Sequence, residues 1–362
     1  MKFKTTQEEI SHAVAFVFSA IEPRGTMPIL NNVLVSCEDG KLTLTGTNLE
    51  IEKSIVIEVE SQVNGSITIQ GKKFSDICKS LDKHSDVAIE VKSDKATIKS
   101  GRSKWTLQTL PALDFPSFSG HKNEIYASVS GDELIKSIDK CSSAMANNDV
   151  RYYLNGLMIE VDNNKLTSVS TDGHRMIVVE SECKSNSDSV FQSIIPRKSV
   201  DNLKSVIGNA EEVTINFSSN SVSISVEGKT MLSKLVDGKF PDYRRVIPKS
   251  TNKTVIANTS ELKAAIRRAS ILANEKYKGI VMFISQGSAI IKASNPESEE
   301  AAEEVPISLS GDDIEIGFNG DYLANAINHL EDPNVTIKLG DSNGSALIEE
   351  GNYVAVVMPM RI

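Results

Sequence analysis

Residues 129–141 read VSGDELIKSIDKC, the end of a short strand followed by a polar cap and an amphipathic helix. Leu134 and Cys141 recur at helical spacing and share one apolar face. Ser130 precedes Glu133 by three positions, the S/T-x-x-E arrangement that marks a helix start. The stretch therefore predicts a strand that leads into a helix with one buried side.

The same pattern occurs six times along the chain, at intervals of roughly 60 to 66 residues. The helices are predicted around Ile10, Phe74, Leu134, Val200, Leu262 and Leu323. Alternating apolar and polar residues follow each helix and predict antiparallel strands. Tight hairpin turns are predicted at Asp39-Gly40, Asn163-Asn164, Gln286-Gly287 and Asn343-Gly344. Each copy is thus predicted as β-α-β-β-β, and we number the copies one to six.

The copies form pairs. The odd copies share a turn at Thr47-Asn48, Thr171-Asp172 and Ser294-Asn295, spaced by roughly 124 residues. The even copies share Asp114-Phe115-Pro116 and Lys239-Phe240-Pro241, and Leu110-Pro111 has a loose counterpart in Met358-Pro359. A pair should pack its two helices side by side on antiparallel sheets. We predict an α+β chain of three domains, residues 1–121, 122–249 and 250–362.

Composition indicates an intracellular protein. No apolar run reaches the roughly 20 residues that a membrane span needs, and residues 1–5 lack the apolar stretch of a signal peptide. We expect a cytoplasmic protein without membrane contact. Cys37, Cys78, Cys141 and Cys183 are far apart and lack metal-site spacing, which predicts buried reduced thiols. No cofactor and no metal are expected.

Charge is unevenly distributed. The net charge is -9, yet basic residues are concentrated on or beside four of the predicted helices. These are Lys72, Lys73, Lys79, Lys83, Lys136, Lys140, Arg197, Lys198, Lys204, Lys263, Arg267 and Arg268. Basic helices on an acidic protein suggest a polyanion held on one face. Ordinary solvated helix faces explain them equally well at this point.

Two segments carry opposite charge. Residues 102–107, RSKWTL, are basic and amphipathic, whereas residues 295–304 are densely acidic. Exposed strand edges invite pairing with another chain, and a head-to-tail contact of unlike edges closes into a ring if the rotation allows it. The alternative for the acidic segment is a solvated loop.

Several motifs together resemble one family, the bacterial DNA polymerase III beta subunit or sliding clamp. They are residues 27–32 (MPILNN), 149–156 (DVRYYLNG), 171–175 (TDGHR), 234–238 (KLVDG), 240–246 (FPDYRRV) and 358–362 (MPMRI). The resemblance covers the whole chain. It implies a non-catalytic processivity factor of DNA replication: a head-to-tail homodimeric ring, with helices inside and sheets outside, that encircles double-stranded DNA. Implied partners are the replicative polymerase alpha subunit, the clamp loader, and other polymerases and repair proteins that carry short clamp-binding peptides.

The resemblance also implies three sets of site residues. For DNA they are Arg24, Lys73, Asn148, Arg151, Tyr152, Tyr153, Arg197 and Lys198. For partner peptides they are Leu154, Thr171, Gly173, His174, Arg175, Met176, Pro241, Arg245, Val246, Asn319, Tyr322, Ser345, Val356, Met358, Pro359, Met360, Arg361 and Ile362. For the dimer interface they are Arg102, Lys104, Trp105, Leu107, Ile271, Leu272, Glu299, Glu300 and Glu303.

Two functions other than a clamp are compatible with parts of the sequence. His174 beside Asp172 and Arg175 could form an acid/base cluster, with Thr171 as a nucleophile. Asp172, however, repeats the turn position of Asn48, and the sequence has no Gly-rich phosphate loop, so we predict no enzyme. A scaffold of clamp-like repeats that binds peptides but not DNA remains the alternative.

Overall fold

The structure is a computed structural model that describes residues 1–22, 27–116, 118 and 125–361. Within these residues the chain forms six α-helices. They are α1 (Gln7–Phe18), α2 (Gly71–Ser80), α3 (Gly131–Ser142), α4 (Arg197–Ile207), α5 (Thr259–Ala269) and α6 (Gly320–Ile327). Each helix contains the apolar residue at which it was predicted.

The strands of copies one to three are β1 (Lys2–Thr6), β2 (Asn32–Glu38), β3 (Lys41–Thr47), β4 (Ile51–Glu58), β5 (Glu60–Val63), β6 (Gly65–Gln70), β7 (Asp86–Lys92), β8 (Lys95–Ser100), β9 (Ser103–Pro111), β10 (Ile125–Ser130), β11 (Gly156–Asp162), β12 (Lys165–Thr171), β13 (Arg175–Glu182) and β14 (Lys184–Ser185). Those of copies four to six are β15 (Phe191–Pro196), β16 (Glu212–Phe217), β17 (Ser221–Val226), β18 (Lys229–Lys234), β19 (Lys253–Asn258), β20 (Gly279–Ser285), β21 (Ser288–Ser294), β22 (Glu300–Ser310), β23 (Ile314–Asn319), β24 (Asn334–Leu339), β25 (Ala346–Glu350) and β26 (Tyr353–Val357). Apart from the short additions β5 and β14, every copy runs strand, helix and three strands, which confirms the predicted fold class.

Side-chain caps fix where helices begin. The Thr6 hydroxyl accepts the Glu9 amide at 3.3 Å, and the Glu9 carboxylate accepts the Thr6 amide at 3.3 Å. This is the reciprocal capping box that the sequence predicts. Asn258 caps α5 by accepting the amides of Ser260 and Glu261 at 3.1 and 3.0 Å. Both caps satisfy amides that a helix leaves unpaired in its first turn.

Three of the four predicted tight turns close two-residue hairpins. Asp39 and Gly40 have φ values of +48° and +82°, which the turn between β2 and β3 requires. The turn predicted at Asn343-Gly344 is wrong, because β24 and β25 are joined by a longer loop. There the Asp341 carboxylate accepts the Asn343 amide at 3.0 Å and closes a local turn of its own.

The described residues divide into two compact units. Unit one comprises residues 1–132, 184–187 and 198–235, and unit two comprises residues 133–183, 188–197 and 236–362. Unit one contains a 14-stranded sheet in the order β14-β10-β16-β17-β18-β4-β3-β2-β6-β9-β8-β7-β1-β5. Unit two contains a 12-stranded sheet in the order β15-β11-β12-β13-β26-β25-β24-β19-β22-β21-β20-β23. The division runs through the second predicted domain, and the domain boundaries at 121 and 249 stay predictions.

In the first and third copy pairs the two helices pack side by side, as predicted. In unit one α1 lies against α2, β3 and β4, with Ile10, Val14 and Val17 fully buried. In unit two α5 lies against α6, with Ile266 and Leu323 fully buried. All four cysteines are buried and unpaired. In the part of the chain that the structure describes, no helix is long and apolar enough to cross a membrane.

The third strands of the copies extend the sheets from one copy pair to the next. In unit one β4 of copy one pairs with β18 of copy four, with Lys53 opposite Met231. In unit two β13 of copy three pairs with β26 of copy six, with Ile177 opposite Ala355. Both pairings are antiparallel. A third strand of an odd copy therefore joins the third strand three copies further on.

The two remaining third strands keep a free edge in the described structure. Residues 103–108 of β9 pair with β8 on one side, and only residues 109–111 reach β6 on the other. Residues 300–306 of β22 pair with β21, and only residues 307–310 reach β19. Each edge exposes a row of backbone donors and acceptors that another strand could pair with.

Candidate functional site

The turn after β12 positions several predicted site residues. The Asp172 carboxylate accepts the amides of His174 and Arg175 at 2.9 and 3.1 Å, and the Thr171 hydroxyl donates to the Arg175 carbonyl at 2.6 Å. In copy one Asn48 accepts the amides of residues 50 and 51 in the same way, at 3.0 and 2.7 Å. The polar residue at this position therefore builds the turn in both copies.

An open cavity of about 150 Å³ lies beside this turn. Its lining consists of Arg151, Tyr153, Leu154, Thr171, Gly173, Arg175, Met176, Pro241, Val246, Val356 and Met358. All of these residues were predicted site residues, but Arg151 and Tyr153 were assigned to DNA rather than to the groove. Gly173 has φ of +88°, and a Cβ there would lie 2.8 Å from the Arg151 guanidinium. A residue with a side chain at position 173 would therefore displace Arg151.

The floor of the cavity belongs to an apolar cluster. Leu154, Met176 and Val356 are at most 2% exposed and pack with Phe240 and Tyr243. The rim is more open, since Val246 is 43% exposed and Met358 is 40% exposed. A buried apolar floor below partly exposed apolar walls suits a short ligand with large apolar side chains. Methionine side chains adapt to different ligand shapes.

Arg175 provides a polar group at one wall. Its Nε donates to the Asp172 carboxylate at 3.1 Å, and its guanidinium lies 4.2 Å from the ring centroid of Tyr322. The His174 ring stacks on the same tyrosine at 6.4 Å. Within the described residues Arg175 Nη1 is buried without a hydrogen-bond partner. Because an unpaired buried donor is costly, this group would favour a ligand acceptor such as a peptide carbonyl.

The segment after β26 forms another wall and is held at two points. The Met358 amide donates to the His174 carbonyl at 2.8 Å, and the Met360 amide donates to the Gly317 carbonyl at 2.8 Å. The contact between Met360 and Gly317 corrects the sequence alignment of Leu110-Pro111 with Met358-Pro359. Leu110 pairs with Thr68 in copy two as Met360 pairs with Gly317 in copy six, so the structural counterpart of Leu110 is Met360 and not Met358.

A buried carboxylate that the sequence did not reveal supports the wall of Pro241 and Val246. Glu160 on β11 accepts hydrogen bonds from Gln192 Nε2 at 2.7 Å and from the Tyr243 hydroxyl at 3.1 Å, and it forms an ion pair with Arg244. Burial alone would raise the pKa of Glu160, but these hydrogen bonds outweigh it and lower the pKa. The short helical turn of residues 243–245 is thereby fixed to β11.

The other predicted partner residues lie around the cavity or elsewhere. Arg245 is largely exposed and pairs with Asp242 at 3.0 Å. Asn319 caps α6 by accepting the Tyr322 amide at 3.1 Å. Those that do not line the cavity are His174, Arg245, Asn319, Tyr322, Ser345, Pro359, Met360 and Arg361. Ile362 lies outside the described residues.

The geometry gives Asp172 a structural role. One of its carboxylate oxygens accepts two backbone amides and the other accepts Arg175 Nε, so the side chain holds the turn together. The Thr171 hydroxyl in turn donates to a backbone carbonyl. The described residues contain no cluster of three or more side chains suited to a metal ion.

Family comparisons cover almost the entire sequence. Models of the N-terminal, central and C-terminal domains of the DNA polymerase III beta subunit match residues 1–119, 128–242 and 244–361. The chain belongs to the DNA polymerase III beta subunit family. It is 40% identical to the beta sliding clamp of Pseudomonas aeruginosa and 38% identical to that of Escherichia coli, over 100% of both chains in each case.

Solved sliding clamps have the same fold. A Pseudomonas aeruginosa clamp bound to griselimycin matches with a TM-score of 0.96 at 40% identity over 100% of both chains. A C. crescentus clamp matches with a TM-score of 0.95 at 30% identity, over 100% of this chain and 99% of the other. As a member of this family the chain is a DNA sliding clamp, a non-catalytic processivity subunit in DNA replication. Sliding-clamp function and the lack of catalysis were both predicted.

The helix residues that are predicted to bind DNA differ in how exposed they are and in how they are bonded. Lys73 is exposed on α2. Lys198 on α4 forms an ion pair with Glu22, and partial burial lowers its pKa. Arg197 is half-buried and donates to the Met145 carbonyl at 2.8 Å. Arg197 is therefore not simply a solvated surface charge, because it also holds the chain at residue 145. Arg24 lies outside the described residues.

The loop of residues 148–153, which is predicted to contact DNA, is hydrogen-bonded to the turn beside the cavity. Arg151 binds the Asp149 carboxylate through two hydrogen bonds, at 3.0 and 2.8 Å, which lower the pKa of Asp149 to about 2. Arg151 also donates to the Asp172 carbonyl at 3.0 Å. Tyr152 is 58% exposed and meets Tyr153 edge to face, with ring centroids 5.9 Å apart. Asn148, with φ of +57°, leads into this loop.

The residues predicted for the dimer interface lie on or beside the two free edges. Arg102 directly precedes β9, and exposed Lys104 on this strand is followed by half-buried Trp105 and Leu107. In unit two Ile271 is 75% exposed beside half-buried Leu272, while Glu299 and Glu300 begin the acidic edge. Glu303 is already paired with Arg268 of the same unit, at 2.5 and 3.0 Å.

Proposed function

We propose that two copies of this chain close head to tail into a ring around double-stranded DNA, and that linear peptides of DNA polymerases dock in the cavity beside the Thr171–Arg175 turn. The observation that carries the ring is the pairing of third strands. Copy one joins copy four and copy three joins copy six. By the same rule copy five would join a copy three positions further on. This chain has six copies, so that copy is the second copy of another chain.

The register of this joint follows from the two junctions inside the chain. At the first junction, Lys229 is the first residue after the turn between β17 and β18, and it lies opposite Ile55. At the second junction, Tyr353 is the first residue after the turn between β25 and β26, and it lies opposite Val179. Ser103 holds the same place at the start of β9.

The third strand of each odd copy is aligned through the hairpin that it forms with the second strand of the same copy. Thr47 lies opposite Glu52, three residues before Ile55, and Ser294 lies opposite Glu300, three residues before Glu303. We therefore place Ser103 opposite Glu303 of the second chain. Trp105 then faces Ala301, and Arg102 faces Glu304.

This register is chemically favourable. Trp105 and Leu107 would bury apolar surface together with Ile271 and Leu272, which gives most of the free energy of association. On the other face of the strands Lys104 would lie between Glu300 and Glu304. Opposite charges across the edge fix register and orientation more than they add affinity.

Sliding requires attraction to DNA phosphates without base recognition. Lys73 on α2 and Lys198 on α4 carry positive charge on rigid helices, and we assign them to the inner face of the ring together with Arg24. The exposed Tyr152 ring beside Arg151 suits stacking on bases of a single-stranded template. Arg197 contributes charge while it also supports residue 145.

The repeat explains why peptides would dock at one junction. At the junction of copies three and six, Met176 and Met358 line the cavity. At the junction of copies one and four, Glu52 is the counterpart of Met176 and Lys234 is the counterpart of Met358. The alignment rests on equivalent hydrogen bonds: the Met358 amide donates to the His174 carbonyl, and the Lys234 amide donates to the Glu50 carbonyl. Charged side chains would oppose an apolar ligand there. The apolar version would accept an extended peptide ending in leucine and phenylalanine.

The partners we propose are the replicative polymerase alpha subunit, the clamp loader, and other polymerases and repair proteins with such peptides, in the cytoplasm. The non-DNA-binding scaffold is disfavoured, since the relatives at about 40% identity are sliding clamps. Retention on DNA tests the ring. The protein should stay on nicked circular DNA after loading by a clamp loader and slide off when the circle is cut. Equal retention on circular and linear DNA would contradict encirclement.

A further inference from the structure

One face of the sheet in copy three is covered by a later segment of the same chain. Met158, Val169 and Val178 lie opposite one another across β11, β12 and β13 and are at most 3% exposed. Phe240 and Tyr243, from the segment between copies four and five, pack on this face. The covering segment reads Phe240-Pro241-Asp242-Tyr243, so an aromatic-Pro-x-aromatic motif that leads into the short helical turn of residues 243–245 seals the sheet.

A similar segment reaches the third strand of copy one, whose equivalent face is half-buried. Leu34, Thr45 and Ser54 occupy the three equivalent positions on β2, β3 and β4. The segment after copy two brings Phe115, which is 8% exposed, and Phe118, whose amide donates to the Glu52 carboxylate at 3.5 Å. The motif is again Phe-Pro-x-Phe.

Copy five has the same face without such a cover. Val281, Lys292 and Ala302 stand opposite one another across β20, β21 and β22, in the register of Met158, Val169 and Val178. An open cavity of about 560 Å³ lies over them. It is lined by Gly279, Val281, Phe283, Lys292, Ser294 and Glu300, among others.

The described residues after β26 run elsewhere. Met358 and Met360 are hydrogen-bonded to His174 and Gly317. Val281 and Phe283 are only half-buried, and Lys292 and Ala302 are exposed, whereas Met158 and Val169 in the equivalent positions are fully buried. The volume lies within the range of ligand-binding clefts, roughly 300–1,000 Å³.

We propose that this face of copy five binds an extended segment of a partner protein with the sequence Phe-Pro-acidic-aromatic, which imitates the segment that seals copy three. Two aromatic rings three residues apart would cover Val281 and Phe283. Proline would keep the segment extended, which lowers the entropy lost on binding. This surface is separate from the cavity beside the Thr171–Arg175 turn, and its edge at Glu300 and Ala302 adjoins the strand edge at which the ring is proposed to close.

The side chains that differ between copies define the preferred ligand. Lys292 replaces Val169, and its ammonium lies 4.9 Å from the Phe283 ring centroid. An acidic third residue, as Asp242 is in the chain's own segment, could pair with this ammonium. Phe283 replaces Glu160, so the basic residue that follows the motif in copy three, Arg244, would have no carboxylate partner here.

The test uses the chain's own covering sequence as the ligand. A fluorescein-labelled peptide of residues 238–247, GKFPDYRRVI, is titrated with the full-length protein and followed by anisotropy. We expect saturable binding that weakens at least tenfold in Ala302→Arg, which fills the cavity from an exposed position. Ser308→Arg adds the same charge to an exposed position of the same strand outside the cavity and should leave binding unchanged.

A second pair of measurements separates this surface from the other cavity. Met176→Glu alters the cavity beside the Thr171–Arg175 turn and should not change affinity for GKFPDYRRVI. Replacing Asp242 of the peptide by lysine should weaken binding, because it would face Lys292. Absence of saturable binding up to about 1 mM, equal binding by Ala302→Arg and the parent protein, or loss of binding in Met176→Glu would each overturn the proposal.

Discussion

Lys53 gives a prediction in which stability depends on pH. Its side chain is fully buried in the middle of β4. The ammonium donates to the hydroxyls of Ser19 at 2.8 Å and Ser205 at 2.9 Å, and it lies 5.0 Å from the Phe16 ring centroid. Hydroxyls compensate poorly for the lost hydration of a cation. Burial therefore lowers the pKa of Lys53 from 10.5 to about 8.

The magnitude follows from this shift. A difference of about 2.5 units, at about 1.36 kcal/mol per unit, means that the charged lysine costs the fold about 3 kcal/mol at pH 7. Between pH 8 and 10.5 the unfolded chain binds the proton that the folded chain has released. The free energy of unfolding therefore rises as the pH increases through this window and is lowest below pH 8.

The perturbation is Lys53→Met, which keeps the side-chain length and removes the charge. Ser19 and Ser205 remain satisfied, because their hydroxyls donate to the carbonyls of Phe16 and Asn202 at 2.7 Å. We expect the variant to be more stable by about 1–3 kcal/mol at pH 7 and to lose this advantage by about pH 10.5.

The assay is urea unfolding at several pH values, followed by circular dichroism and by Trp105 fluorescence. Lys229→Met is the matched control, because Lys229 approaches the same Phe16 ring at 6.0 Å but is only half-buried. It should show no comparable pH dependence. A difference between Lys53→Met and the parent that stays constant from pH 7 to 10.5 would refute the reasoning.

Other outcomes follow from the proposed surfaces. Ile271→Ala with Leu272→Ala should yield monomers at micromolar concentration, measured by light scattering, and a stable dimer would show that the joint lies elsewhere. Lys73→Glu with Lys198→Glu should shorten residence on circular DNA, more strongly at low salt, in single-molecule records; salt-independent residence would count against phosphate contact. Glu160→Gln should weaken binding of a polymerase-type peptide about tenfold, in anisotropy titrations, because it loosens the wall of Pro241 and Val246. Full affinity in that variant would show that Tyr243 and Arg244 hold the wall without the carboxylate.

Periodicity made most of the architecture predictable. Apolar residues at helical and alternating spacing specify which face each element buries, and these patterns recur in all six copies. Capping residues such as Thr6 and Asn258 act on their own helices, so their roles could be assigned from sequence. The apolar residues of the cavity could be assigned only through family resemblance, since Leu154 and Val356 are more than 200 residues apart.

Long-range polar contacts were beyond sequence reasoning. Nothing in the pattern around Lys53 distinguishes a buried ammonium from a surface lysine on a strand. Arg151 was assigned to DNA, and its bonds to Asp149 and to the Asp172 carbonyl depend on how two loops meet. Glu160 is an isolated acid on an alternating strand. Its role appears only when Tyr243 and Arg244, more than 80 residues later, fold over it.

The most direct test of the ring is its covalent closure on DNA. Ser103→Cys with Glu303→Cys places two thiols opposite each other in the proposed register, whereas Ser103→Cys with Ala301→Cys shifts one of them by two residues, beyond the reach of a disulfide. The account predicts that the first protein, loaded on circular DNA and oxidised, remains on the circle in denaturant and is released when the DNA is cut. Release from the intact circle, or equal cross-linking of both cysteine pairs, would contradict the head-to-tail ring.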